Sequence, residues 1–81
     1  MRFIWPDSAR AELRAIGRDD ALRILYALTA YAETGRGDIK SLQGEWLGFF
    51  RLRIGEYRVI FSVLAEEITI SRVGHRSEVY R

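Results

Sequence analysis

Six arginines and no lysine lie between Phe49 and the end of the chain, among four glutamates. Arginine carries a planar fork of donors that grips a phosphate bidentately and stacks on bases. A basic third of this kind points to an anionic partner, with nucleic acid the commonest. A solvated basic face is the other reading of the same composition. The spacing adds to it. Arg51 and Arg53 alternate along one apolar run, and Arg58 follows in the next, across Gly55-Glu56. Gly55-Glu56 fits a two-residue hairpin turn of type II′, with glycine first. That turn pairs Ile54 with Tyr57, Arg53 with Arg58, Leu52 with Val59 and Arg51 with Ile60. Side chains alternate with period two along a strand, so Arg51, Arg53 and Arg58 share one face. Like charges directly opposed across two strands are destabilising. A site for a phosphate that gains charge in a transition state uses that concentration of cations; long arginines that splay into water are the bland alternative.

A second group follows in the tail Gly74-His75-Arg76-Ser77-Glu78-Val79-Tyr80-Arg81, which holds the only histidine beside an aromatic and two arginines. Aromatics and arginines stack on unpaired bases; a frayed polar terminus has the same composition. There is no cysteine, so no thiolate can attack a substrate or ligate a metal. One histidine with scattered carboxylates is a poor start for a transition-metal site. The expectation is a function that needs no metal or cofactor.

The elements that position these residues read as follows. Arg2 to Trp5 is a short strand that Pro6 stops. Asp7 or Ser8 caps a helix with Ala9, Leu13 and Ile16 at helical spacing, and Gly17 ends it as a left-handed cap. Asp19 or Asp20 caps a second helix, whose stripe of Leu22, Leu25, Leu28 and Ala32 is broadened by Ile24, Ala27 and Tyr31 beyond what one core face needs. Residues 34–38 end it, and residues 39–47 read as a loop. Three strands follow, near 49–54, 57–63 and 68–73, rich in β-branched and aromatic residues. The core face of the sheet is Phe50, Leu52, Ile54, Tyr57, Val59, Phe61, Val63, Ile68 and Ile70. Ser62, Thr69 and Ser71 join the arginines opposite, with Phe49, Ile60 and Val73 among them. Arg72 breaks the scheme by falling on the core parity; either it snorkels out at an edge or a bulge shifts the register near Arg72-Val73. The fold expected is α+β, a helical hairpin packed on a small antiparallel sheet, in the order β-α-α-β-β-β.

Eighty-one residues make one domain, residues 1–81, with a small core. A composition 48% hydrophobic and 30% charged is that of an ordinary globular protein. No apolar run approaches the roughly 20 residues a membrane helix needs, and the start is too short for a signal-peptide core. The expected location is the cytoplasm.

The segment Gly55-Glu56-Tyr57-Arg58-Val59-Ile60-Phe61, followed by Val73-Gly74-His75-Arg76-Ser77-Glu78-Val79-Tyr80, resembles the signature of RelE-type toxins of the RelE/ParE superfamily. With the order of elements, the resemblance covers essentially the whole chain. It implies a type II toxin that cuts mRNA on the ribosome and is held inactive by a cognate antitoxin protein. Its partners would then be antitoxin, ribosome and mRNA, with no membrane and no small-molecule cofactor. Carried over by position, Arg58 matches the phosphate-stabilising arginine, Arg76 the basic residue after Val-Gly, and Tyr80 the C-terminal tyrosine that stacks on or activates the nucleotide. Arg51 and Arg53 fall where the family often has lysines; arginine does not readily give up a proton, so neither is a general base. The implied reaction is attack of a ribose 2′-hydroxyl on its own 3′-phosphate, with Tyr80 the candidate base and His75 either the acid or a phosphate or base contact. Two alternatives remain: a DNA gyrase inhibitor of the ParE branch, which generally lacks the tail tyrosine, and a nucleic-acid-binding module without chemistry.

Overall fold

The computed structural model describes residues 1–80. Strand β1 (Arg2–Ile4) leads through Trp5-Pro6 into helix α1 (Asp7–Arg14) and helix α2 (Arg18–Thr34). Strands β2 (Asp38–Ser41), β3 (Phe50–Ile54), β4 (Tyr57–Leu64) and β5 (Glu67–His75) follow, with a single 3-10 turn at Gly44–Trp46 between β2 and β3. The five strands form one sheet in the order β1-β5-β4-β3-β2. This is the expected α+β architecture with one short strand added.

Local chemistry explains most of the boundaries. Pro6 stands before the first turn of α1 (φ −57°), where a missing N–H is harmless, and Asp7 places negative charge at the positive end of the helix. Neither Asp7 nor Ser8 caps it through a side chain. Gly17 is not a left-handed cap: at φ −56° and ψ 149° it is the extended residue from which α2 starts. Asp19 and Asp20 then lie in the first turn of α2, and its far end closes on Gly35, left-handed at φ 74°. Only Ala9 of α1 and Ile24 and Leu28 of α2 are fully buried.

The helices cover one face of the sheet, α1 over β5 and α2 over β3. Beneath them the core joins Leu52, Val59, Phe61, Ile68 and Ile70 to those helix residues, with Phe50, Ile54, Tyr57 and Val63 packed at its margin. All nine residues expected on the core face are there. Phe61 is its centre, 5.2 Å from the Tyr31 ring and 5.7 Å from that of Phe50.

Three departures from expectation have physical causes. Residues 38–41 lie in a strand, although Asp38 reads as the end of the second helix and residues 39–41 as loop: β2 pairs Asp38 with Arg53 and Lys40 with Arg51, an edge strand with one apolar residue, Ile39, held by backbone bonds and the Asp38–Arg51 ion pair. The sheet is mixed, because β1 runs parallel to β5, Phe3 beside Ile68. Only a tight hairpin forces neighbours antiparallel, and β1 is separated from β5 by the rest of the chain. Third, β5 carries a bulge. Phe61 pairs with Ile70 but Ile60 with Arg72, leaving Ser71 extra. Beyond it the parity inverts, so Val73 enters the core (2% exposed) and Arg72 turns to an ion pair with Glu12 (2.9 Å). The same Glu12 carboxylate accepts the Val73 N–H (3.0 Å).

Both hairpins reverse in two residues. Gly55 takes φ 58° in the first, and in the second Ala65 takes φ 55°. A Cβ in the left-handed region costs roughly 1–2 kcal/mol, partly offset by the greater freedom glycine has when unfolded. Ala65→Gly is therefore expected to stabilise the fold by about 0.5–1 kcal/mol, read as a rise in the urea midpoint with unchanged slope.

Candidate functional site

The face of the sheet turned away from the helices carries the arginines. Along one row Lys40, Arg51, Ile60 and Arg72 lie side by side; along the next, Asp38, Arg53, Arg58 and Gly74. Arg58 therefore has an arginine on one flank and no side chain on the other. It is 9% exposed, the only charged residue in the buried class among the described residues. One guanidinium nitrogen donates to the carbonyls of Gly55 and Tyr57, each at 3.1 Å, so the turn that sets the register also aims this side chain. Arg53 is exposed. Arg51 has 15% of its side chain exposed and donates to Asp38 (3.0 Å), while its Nε is buried without a hydrogen-bond partner among the described residues. A buried donor left unmatched is expensive.

After β5 the chain turns back over this face. Val79 is fully buried, and its side chain lies beside Gly74, 3.7 Å from where a Cβ there would be. Ile60 and Val79 are buried yet lie outside the main core, a small apolar base on the open side. Arg76 is anchored twice to the hairpin turn, its amide donating to the Glu56 carbonyl (2.8 Å) and its Nε to the Glu56 carboxylate (2.8 Å). Arg58, Arg76, Ser77 and Tyr80 then line one open recess of about 390 Å³. Tyr80 is 47% exposed at its rim. Arg81, the tail's last residue, lies outside the described residues.

Burial, and then the positive charges of Arg53, Arg51 and Arg76, hold the Arg58 guanidinium below the usual arginine value, while Tyr80 pulls the other way. The five side chains thus form one electrostatic group, cationic in excess. His75 is not in it. Its ring pairs across the sheet with Tyr57, edge-on at 6.0 Å, and lines a separate recess of about 280 Å³ with Glu12, Gly17 and Glu78. Burial, and then the negative charge of Asp20, hold the Tyr57 phenol above the usual tyrosine range, against the pull of Arg23.

A family model described as "ParE toxin of type II toxin-antitoxin system, parDE" matches residues 3–80. The chain belongs to this toxin family. Solved structures agree on the fold of the toxin. It is similar to a chain of the RelB–RelE antitoxin–toxin complex of Methanococcus jannaschii (22% identity, 95% of this chain and 94% of that one, TM-score 0.77). It is also similar to a chain of the YoeB–YefM complex of Staphylococcus aureus (16%, 93% and 95%, TM-score 0.78) and to one of the RelBE2 complex of Mycobacterium tuberculosis (27%, 95% and 92%, TM-score 0.68). No curated protein matches the chain. No described helix is long and apolar enough to cross a membrane.

Two residues of the candidate site were not legible in the sequence. Glu56 reads as a turn residue and Asp38 as part of the segment that ends the second helix, yet they hold Arg76 and Arg51. The signal was their place beside a turn and an edge, where a carboxylate meets an arginine only once the register is known. Because the arginine group repels itself, screening it must stabilise the fold. Raising salt from about 0.01 M to 1 M shortens the screening length from roughly 30 Å to 3 Å. The urea midpoint of the wild-type toxin is expected to rise more over this range than that of Arg58→Met, measured side by side.

Proposed function

We propose that this toxin is a ribosome-dependent endoribonuclease that cuts mRNA without a metal ion and is restrained by a cognate antitoxin. One observation carries the reading: a nearly buried Arg58 among positive neighbours, with Tyr80 lining the same recess. Holding like charges together in a weakly solvated place costs stability, and a phosphate acquiring charge repays it in the transition state. The ribose 2′-oxygen attacks the adjacent phosphorus and gives its proton to the phenolate oxygen of Tyr80, which becomes the neutral phenol. The bond to the 5′-oxygen breaks, and that oxygen takes a proton from water. The products are a 2′,3′-cyclic phosphate and a 5′-hydroxyl. Arg58 and Arg76 neutralise the phosphorane, with Arg51 and Arg53 gripping the strand. Metal independence follows from the donor set, with no cysteine and one histidine in the chain.

The antitoxin reading rests on two features. The relatives of known structure named above include RelB–RelE and YoeB–YefM complexes. The toxin also exposes Leu22, Leu25 and Tyr26 along one side of α2, apolar surface that an amphipathic segment would cover.

A second reading, inhibition of DNA gyrase by binding alone, is favoured by the family model, which is that of ParE toxins. Mapping mRNA ends in ribosome complexes and a supercoiling assay on the same protein separate the two: cleavage supports the first, loss of supercoiling without cleavage the second. On the first reading Arg58→Ala slows single-turnover cleavage by about a hundredfold or more while remaining folded.

Tyr80 distinguishes chemistry from grip. If its hydroxyl takes the 2′-proton, Tyr80→Phe falls nearly as far as Tyr80→Ala, by roughly 10²–10⁴-fold. If it only stacks, Phe keeps most of the activity and Ala weakens binding by about 1–3 kcal/mol. The expected result is impairment of Phe at the chemical step, with ribosome binding retained.

A further inference from the structure

The tail that brings Arg76 and Tyr80 over the sheet is short, and its fold depends on its first residue. The main-chain carbonyl of His75 accepts the N–H groups of Glu78 (2.9 Å) and Val79 (3.2 Å). Its side chain reaches into the same turn: Nδ1 accepts the Ser77 N–H at 3.2 Å and lies 2.9 Å from the Ser77 hydroxyl oxygen. The ring packs edge-to-face with that of Tyr57, centroids 6.0 Å apart. A side-chain acceptor on one residue bonded to the amide two residues on is the arrangement of an Asx turn. Here an imidazole makes it. An Nδ1 that accepts an N–H carries no proton of its own, so the ring proton, when the ring is neutral, is on Nε2.

We propose that His75 is a positioning residue: through its unprotonated Nδ1 it locks the turn that sets Arg76 and Tyr80 above Arg58, and it does not transfer a proton in the reaction. The role follows from placement. His75 lines the recess on the far side of the tail, whereas the other recess is lined by Arg58, Arg76, Ser77 and Tyr80. Ser77 lies at the dividing point, its amide facing His75 while the residue lines the arginine recess. What the turn means for cleavage rests on the endoribonuclease reading; that His75 holds the turn does not.

The test uses the full chain and two variants, His75→Asn and His75→Ala. Asparagine presents an acceptor where Nδ1 stands and favours this turn, but it has no proton to give at any ordinary pH. Two quantities are measured, exchange of the Ser77 amide by NMR and single-turnover cleavage of ribosome-bound mRNA. Asn is expected to keep Ser77 protected and to cleave at close to the wild-type rate. Ala is expected to speed Ser77 exchange about fivefold, the worth of one hydrogen bond, and to slow cleavage at least about tenfold through misplacement of the tail. An Asn variant that protects Ser77 yet cleaves as poorly as Ala overturns the proposal in favour of proton transfer. An Ala variant with unchanged Ser77 exchange overturns it as well. If the wild-type toxin does not cleave, the endoribonuclease reading fails, and the exchange arm still decides whether His75 holds the turn.

Discussion

Gly55 takes a left-handed φ of 58° while Glu56 does not, and this pair of conformations is the type II′ turn that joins two right-twisted strands in two residues. The chain has no slack there. A slip of one residue would carry Leu52, Val59 and Phe61 from the core to the open face and the arginines into the core. The hydrophobic penalty for that exchange, roughly 1.5–3 kcal/mol per large side chain, makes the register the constraint on which the rest depends. The same two residues then do more than reverse the chain. The Gly55 carbonyl receives Arg58, and Glu56 receives Arg76 through both its carbonyl and its carboxylate. From the helix side the guanidinium of Arg23 approaches Gly55 closely enough that a Cβ there would lie 3.2 Å from it. Strand, tail and helix meet at one turn.

Around this turn the open face is built against its own electrostatics. A sheet face with one side in water normally spreads its charges. Here Arg58 is buried beside Arg53, on a face where Ile60 and Val79 are buried as well. Removing water strengthens every charge interaction within, the repulsive ones included. The fold tolerates this because two of the three arginine neighbours have a partial counterweight at the rim: Asp38 for Arg51 and Glu56 for Arg76. Both acids are more than half exposed, so these pairs are weak and exchangeable. An anion that displaces them meets cations already in place, with little reorganisation left to make.

How much of this is legible before a structure depends on the range of the interaction. The β3–β4 register follows from a local turn, so the facing of Arg53 and Arg58 and all nine core positions could be read from alternation alone. The bulge in β5 showed only as an anomaly, an arginine on an apolar parity; placing the extra residue at Ser71 required knowing what stood opposite. Strand β2 was invisible because Asp38-Ile39-Lys40-Ser41 has one apolar residue and takes its structure from Arg51 and Arg53, distant in sequence. Gly17 misled because glycine serves either end of a helix, and the short link between α1 and α2 needed an extended residue rather than a left-handed one. His75 follows the same rule: its side of the sheet is set by pairing with Tyr57, which lies beyond the bulge.

These ranges also divide the site by rigidity. Arg51, Arg53 and Arg58 stand on paired strands, and the backbone beneath them moves only if the sheet does. Arg76 and Tyr80 stand on a turn held by one exposed ion pair, a few hydrogen bonds and one buried side chain, Val79. Elements with few buried contacts open at low free energy while the sheet stays closed. On the endoribonuclease reading, the strand arginines that would meet a phosphate are preorganised, and the aromatic group that would meet the ribose stands on a segment able to yield. Among the described residues no layer of helices covers this face of the sheet to make both parts rigid. The rigid part lies where misalignment of charge would be costly, and the adaptable part lies at the rim, where on the same reading an RNA strand of varied sequence would enter.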